Sequence, residues 1–166
     1  MKVEMKLHGL EGVLQTLKSM PPEIVSKRGG PVKVALRAGA RVIQKEAALN
    51  VARATGDLDA GGEETSTGLL AKNIVATRGK APTGGNGERY LVRVKRKTYP
   101  DRTGKPVTTL KTAHLLEYGS SKQLAEPWLR PAFAAKAEEA IRTIESELLR
   151  GIDRIVRKLA AQNRSK

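Results

Sequence analysis

The sequence predicts an α+β fold, in which two long helices pack on one face of a small, mostly antiparallel sheet. The first observation is a pair of long segments, residues 31–53 and 131–162, whose apolar residues recur every three or four positions. The second is a set of short segments in which apolar and polar residues alternate, as they do in half-buried strands. The third is the length of 166 residues without an internal repeat, which favours a single domain, 1–166.

The composition limits the classes of function. The chain has 31 Lys and Arg against 17 Asp and Glu, a net charge of +14, so nucleic acid or an acidic protein surface is the expected partner. A membrane partner is disfavoured because no apolar run reaches about 18 residues. Residues 1–7 alternate charged and apolar side chains, which is unlike the apolar centre of a signal peptide. The absence of Cys excludes disulfides and thiolate metal sites.

The N-terminal half contains three predicted elements. Residues 3–7 alternate as a half-buried strand, and residues 10–17 carry the apolar pattern of a short helix. The helix at 31–53 follows, and Pro31 suits its first turn. Its predicted core face has apolar spacings of 4, 3, 4 and 4 and comprises Leu36, Ala40, Ile43, Ala47 and Val51. Its opposite face is mostly cationic and carries Lys33, Arg37, Arg41, Lys45 and Glu46.

The middle of the chain combines two strands with three polar connections. Residues 74–77 and 89–96 read as strands, because Tyr90, Val92 and Val94 alternate with cationic residues. Residues 54–66 form an acidic, Gly-rich segment without the spacing of a calcium loop. The basic connections at 79–87 and 96–109 are rich in Gly or Pro and poor in apolar residues, so both are predicted to be mobile loops.

The C-terminal third is predicted to be a short helix, a loop and a long helix. Gly119 ends the helical pattern of residues 113–118, and Pro127 and Pro131 bracket the start of the last helix. Residues that precede proline disfavour the α region, so Glu126 and Arg130 are predicted to be extended. The apolar stripe of the long helix comprises Phe133, Ala137, Ile141, Ile144, Leu148, Ile152, Ile155 and Leu159. A helix of about 30 residues spans roughly 45 Å, so its C-terminal half is predicted to project toward a partner.

No catalytic, cofactor-binding or metal-binding set is predicted. His114 and Glu117 share one helical face and could form half of a metal site, but packing or hydrogen bonding is the favoured interpretation. No Walker A, G-x-G-x-x-G or G-x-S-x-G motif occurs. We therefore expect a protein that is not an enzyme.

A cluster of cations marks a candidate contact surface. Residues 72–111 contain eleven Lys and Arg against two acidic residues. The predicted basic patch comprises Arg93, Lys95, Arg96, Lys97, Arg102 and Lys105. Three interpretations stay open: a solvated face, contact with DNA phosphates, or contact with an acidic protein. Because few aromatic residues are interleaved, any DNA contact is expected to be with the backbone and without sequence preference.

Two spaced blocks carry a resemblance to a known family. Residues 117–121 (EYGSS) and 127–132 (PWLRPA) resemble the EFGT…PFLRPA signature of the small head–tail joining or tail-completion proteins of long-tailed bacteriophages, the family of the minor tail protein Z of lambda. A second family motif, TGxLxxSI, is similar to residues 67–74, which makes residues 54–66 an insertion. In the neck protein that this resemblance implies, residues 118–131 and the two long helices would make subunit contacts. The interface and organising residues are then Glu117, Tyr118, Gly119, Pro127, Trp128, Leu129, Arg130, Pro131 and Phe133.

The resemblance also implies a location and a set of partners. It implies a structural protein of the virion neck or upper tail, assembled in the host cytoplasm as a homo-oligomeric ring around the DNA channel. The implied partners are the connector or stopper, the tail terminator and the tail tube. The alternative from composition is a freestanding basic protein that binds the nucleic-acid backbone without sequence specificity.

Overall fold

A computed structural model of the protein describes residues 30–56, 68–80, 88–101 and 103–164. The predicted strand at 3–7, the predicted helix at 10–17, most of the acidic insertion and most of the loop at 79–87 lie outside these residues.

The described chain contains four helices and four strands, and it confirms the α+β class. In chain order the elements are α1 (Gly30–Ala54), α2 (Leu69–Lys72), β1 (Ile74–Arg78), β2 (Tyr90–Val94), β3 (Thr98–Pro100), β4 (Pro106–Thr108), α3 (Thr109–Tyr118) and α4 (Leu129–Arg164). The two long helices, α1 and α4, have 25 and 36 residues, about 37 and 54 Å at 1.5 Å per residue.

The strands pair in two antiparallel ladders. β1 pairs with β2 from Ile74↔Val94 to Arg78↔Tyr90, and β3 pairs with β4 from Thr98↔Thr108 to Pro100↔Pro106. Burial of one face explains the predicted alternation in β2, because Val92 and Val94 pack against the core. Among the described residues the antiparallel strands form two two-stranded sheets rather than one larger sheet.

The segment at 96–109 is a hairpin followed by the start of α3, so the prediction of an irregular loop is wrong there. The Asp101 carboxylate closes the turn by accepting hydrogen bonds from the Thr103 N–H (2.8 Å), the Thr103 hydroxyl (2.7 Å) and the Lys105 N–H (2.8 Å). These hydrogen bonds, from the Thr103 hydroxyl first, lower the pKa of Asp101. Polar contacts within the turn thus replace the apolar burial that the sequence lacks.

The two long helices run antiparallel and touch through glycine. Along α1, Pro31 meets Gly151 and Gly39 meets Ile144, so rising numbers in α1 meet falling numbers in α4. A Cβ atom on Gly39 would lie only 2.5 Å from Cγ1 of Ile144 and 2.9 Å from the carbonyl oxygen of Ala140. The backbones can therefore approach closely only because no side chain is present at these positions.

Because the helices approach each other closely, the buried faces of α1 and α4 differ from the faces that the sequence predicts. The buried line of α1 is Ala35, Gly39, Ile43, Ala47 and Val51. The buried line of α4 includes Ala132, Ala140, Ile144, Leu148 and Ile152. Leu36, Ala40, Phe133, Ala137 and Ile141, which were predicted for the core, are only half-buried. Glycine and alanine alternate with larger residues such as Ile43, Ile144 and Leu148 along these buried lines.

Among the described residues, the core consists of two clusters along the helix pair. One joins α1, α2, β1, α3 and the start of α4, with Trp128 as its largest member. The other comprises Ala35, Ile144, Leu148 and Ile152. Beyond Ile152, most of the described side chains of α4 are exposed, so the exposed stretch begins later than the predicted halfway point.

Gly39→Ala is expected to destabilise the fold, because the new methyl group meets backbone as well as side-chain atoms. We expect a loss of about 1–2 kcal/mol in the free energy of unfolding, after the better helix propensity of Ala has offset part of the overpacking. Urea unfolding measures this change. Gly30→Ala is the matched control, since a Cβ atom at that position would meet no other part of the described chain within 4 Å. Equal stability of the two variants would contradict close packing at Gly39.

Candidate functional site

The helix α3 places Glu117 in the protein interior. The Thr108 side chain caps the start of this helix by accepting a hydrogen bond from the Lys111 N–H at 3.3 Å. The buried face of α3 carries Thr109, Ala113, Leu116 and Glu117. Glu117 therefore lies among core residues, although it is a carboxylate with 0% exposure.

Gly119 ends α3 and turns the chain back over it. Its φ is +74°, and its N–H donates to the Leu115 carbonyl at 2.7 Å. A Cβ atom here would lie 2.8 Å from the Ala125 nitrogen, so the turn has no room for a side chain. The Glu126 N–H then donates to the Leu116 carbonyl at 2.8 Å. These contacts bring Pro127 and Trp128 back to α3.

The Glu117 carboxylate caps the start of α4. Its Oε2 accepts from the N–H groups of Trp128 and Leu129, both at 2.9 Å, and its Oε1 is 3.4 Å from the Arg130 nitrogen. A helix start leaves four N–H groups without intrahelical acceptors, those of the N-cap residue and of the first three helical residues. Counted from Trp128 as the N-cap of α4, the fourth position is Pro131, which has no N–H. All the free N–H groups at this helix start thus have Glu117 as their acceptor.

The same cap corrects the backbone prediction for Arg130. Arg130 is helical rather than extended, because α4 begins at Leu129. The cost of the α conformation before proline is offset by the contacts that Arg130 makes with Glu117. Its Nε donates to Oε1 at 2.8 Å, and its Nη2 donates to the Glu117 carbonyl at 3.2 Å.

Glu117 is held in its charged form. Burial raises the pKa of Glu117, but the hydrogen bonds from the Leu129 and Trp128 N–H groups and from Arg130 outweigh it, and the net shift is downward. The side chain of Arg130 is 55% exposed, so the ion pair reaches from the core to the surface. The carboxylate therefore stays ionised at neutral pH and provides a negative charge at the positive end of the α4 dipole.

Trp128 is buried in the core beside this cap. Its indole Nε1 donates to the Ala113 carbonyl at 3.1 Å. Its own carbonyl accepts from Nδ2 of Asn50 in α1, also at 3.1 Å. Trp128 thus links α1, α3 and α4, and its polar N–H is satisfied although the ring is buried.

Of the remaining predicted interface residues, Leu129 is buried in the core, and the others lie at or near the surface. Tyr118 is exposed, with the Arg130 guanidinium 5.4 Å from its ring centre and the His114 ring at 4.8 Å. Pro127 and Pro131 are exposed and Phe133 is half-buried. Nearby, Leu124 is 88% exposed in the loop between α3 and α4. The motif therefore has a buried half that orders the fold and an exposed half that is available for contact.

The described part of the basic patch lies on β2, on the connection from β2 to β3 and just before β4. Arg93 is an exposed residue of β2, the connection to β3 carries exposed Lys95, Arg96 and Lys97, and exposed Lys105 precedes β4. Arg102 lies outside the described residues. Thr109 orders this connection, since its hydroxyl donates to the Lys95 carbonyl at 2.8 Å and accepts from the Lys97 N–H at 2.9 Å. The patch is therefore displayed on ordered backbone.

The described residues present no group of three or more His, Asp or Glu side chains that could hold a metal ion. The acid of the His114–Glu117 pair is fully engaged by α4. In the part of the chain that the structure describes, no helix has the length and apolarity needed to cross a membrane.

No protein-family model matches the chain, and neither a curated protein nor a solved structure is significantly similar to it.

Sequence reasoning missed three contributors to this site. Glu117 was predicted to be an organising residue, but its capping role was not predicted. The sequence signal for this role is an acid at a core position of a helix. Asn50 was missed because polar residues in helical segments are usually exposed, and Thr109 was missed because residues 96–109 read as a polar loop. Their partners lie 78 and 14 residues away, so no local pattern reveals them.

Replacing Glu117 by Gln should destabilise the protein and change its response to acid. Loss of the charged acceptor should lower the free energy of unfolding by about 1–3 kcal/mol at neutral pH. Because folding lowers this pKa, the wild-type carboxylate stabilises the fold above its unfolded pKa of about 4.3, and that contribution is lost as pH falls through the folded pKa.

Urea unfolding at several pH values between neutral and about pH 3 tests this expectation. Wild type should lose more stability in acid than Glu117→Gln does. Glu138→Gln is the control, since that side chain is exposed, and it should remain within about 0.5 kcal/mol of wild type. Parallel pH curves for wild type and Glu117→Gln would show that the carboxylate does not have this role.

Proposed function

We propose that the protein is a structural protein of a long-tailed phage virion that completes the tail and helps join it to the head connector. One observation carries the proposal: the two sequence blocks that resemble the tail-completion signature bind each other through Glu117. The acid of the first block accepts the N–H groups of Trp128 and Leu129 in the second block. A signature whose two halves form one contact is harder to obtain by chance than two unrelated short matches.

The proposed role is that of a ring subunit around the DNA channel. The buried half of the motif fixes α3 against α4, and the exposed half presents Tyr118, Arg130 and the loop with Leu124. Aromatic residues and arginine are enriched at protein interfaces, so this surface suits contact with a neighbouring subunit, connector, terminator or tail-tube protein.

The basic patch favours a second candidate function, that of a freestanding protein that binds the nucleic-acid backbone. Arg93, Lys95, Arg96 and Lys97 are exposed on ordered strands and their connection. In the virion, the same charges would face DNA or an acidic neighbouring ring. Bare duplex DNA distinguishes the candidates, because only the freestanding protein needs tight binding without particle partners.

The particles themselves test the proposed function. Purified virions from cells that carry the coding sequence should contain the protein in a small, fixed number of copies, measured by quantitative mass spectrometry. A nonsense mutation should yield filled heads and separate tails in electron micrographs, and a plasmid copy should restore joining. Infectious particles that lack the protein would overturn the proposal.

Reversing the charges of Lys95, Arg96 and Lys97 to Glu should leave the fold intact, because exposed charges contribute little to stability. If the patch contacts DNA, binding to a duplex should weaken by more than tenfold and show a reduced salt dependence. Fluorescence anisotropy over a salt series measures this. Reversal of the exposed cations Arg154, Arg157 and Lys158 is the control for net charge. If the two reversals weaken duplex binding equally, or if the first reversal leaves particle yield normal, the patch is only a solvated face.

A further inference from the structure

A groove runs along the outer side of α1 and is bordered by α4. Its volume is about 820 Å³. Its apolar lining from α1 comprises Val34, Ala38, Val42 and Leu49, at spacings of 4, 4 and 7 residues. Val34 is 58% exposed, and Leu49 is also exposed. The fold therefore leaves a second apolar stripe on α1, separate from the stripe that packs against α4.

The dimensions of the groove fit a helix. Residues 34–49 extend over about 22 Å at 1.5 Å per residue, the length of about four helical turns. Apolar residues at intervals of about four along such a groove match the side chains that an amphipathic helix presents on one face.

Three unpaired cations follow the same line. Arg37, Arg41 and Lys45 line the groove, recur every four residues and are exposed. In the described ranges none of them has an ion-pair partner.

The acids of the groove, by contrast, are already neutralised. Glu46 lies 3.6 Å from Arg53, and Glu139 lies 2.7 Å from Lys136. The groove therefore has an apolar floor and uncompensated positive charge along its length.

We propose that this groove binds an acidic amphipathic helix of a partner protein. Apolar side chains of the partner would cover Val34, Ala38, Val42 and Leu49, and its Asp and Glu side chains would face Arg37, Arg41 and Lys45. This inference does not depend on the proposed virion function, because it requires only a partner helix of this chemistry.

The charge and the apolar lining of the groove favour an acidic partner helix over nucleic acid and over other segments of this chain. Nucleic acid would match the cations but would leave the apolar floor uncovered. The chain's own residues 1–29 contain five Lys and Arg against three Glu, and their predicted helix at 10–17 would span only about 12 Å, too short to cover a four-turn stripe. The acidic segment at 57–64 has Leu58 as its single large apolar residue, so it cannot cover a four-turn stripe in a second copy.

A cysteine-accessibility experiment first tests whether the groove is free in the full chain. The protein has no Cys, so Val34→Cys and Leu149→Cys each create a unique thiol. The two positions are matched at 58% and 57% exposure. We expect both thiols to react with a maleimide within twofold of the same rate. Protection of the thiol at position 34 alone would overturn the proposal. Protection that does not depend on protein concentration would indicate that residues 1–29 occupy the groove. Protection that rises with protein concentration would indicate that a second copy occupies it.

A designed peptide then tests the chemistry of the partner. The probe is an 18-residue helical peptide with Leu at spacings of 4, 4 and 7 and Glu on both flanks of that stripe. We expect micromolar binding that weakens by at least tenfold when Arg37, Arg41 and Lys45 are all changed to Glu. The reversal of Arg154, Arg157 and Lys158 has the same effect on net charge, and it should change the affinity by less than twofold.

Two further comparisons separate the groove from general attraction to a basic protein. A peptide with Ser at the Leu positions should bind at least tenfold more weakly than the probe, and a duplex oligonucleotide should not displace the probe. The proposal is overturned if both charge reversals weaken binding equally, if the Ser peptide binds as well as the probe, or if DNA competes for the groove.

Discussion

The fold depends on a carboxylate placed where a helix begins in the protein interior. Burying an ionised acid without partners is strongly unfavourable, and so is burying the free N–H groups of a helix start. Glu117 removes both costs at once, because it accepts from Trp128, Leu129 and Arg130. Pro131 removes the fourth donor by having no N–H. Neither the acid nor the helix start is stable in this position without the other, which links α3 to α4 more specifically than apolar packing does.

The second constraint is the close contact of the two long helices at Gly39 and Gly151. Because the contact is centred on glycine and alanine, little area is buried per residue, and the pair relies on its length and on the clusters at its two ends. The Trp128 cluster anchors one end, and that cluster is held in place by the Glu117 cap. A change at the cap is therefore expected to alter the packing of the helix pair through Trp128 and its partner Asn50.

The regular elements among the described residues could largely be predicted from sequence, because apolar periodicity records which face of a helix or strand is covered. The exact face of α1 could not, since Gly39 has no side chain and so has no place in a hydrophobic pattern. The hairpin at 98–108 was missed because Asp101 stabilises it with hydrogen bonds rather than apolar contacts. The cap was missed because the rules for helix starts consider neighbouring residues, whereas Glu117 acts on donors 11 to 13 positions later.

The charged residues whose ion pairs support the fold differ from the charged residues that the surface offers for binding. The buried acid has its own cation in Arg130, and Glu46, Glu88 and Glu139 have cationic partners at the surface. In the part of the chain that the structure describes, exposed cations without such partners lie on the β2–β3 connection, along α1 and near the end of α4. These cations are not needed for the contacts that define the fold, yet they repel one another and oppose compactness. An anionic or acidic partner, as proposed above, would compensate this excess on binding.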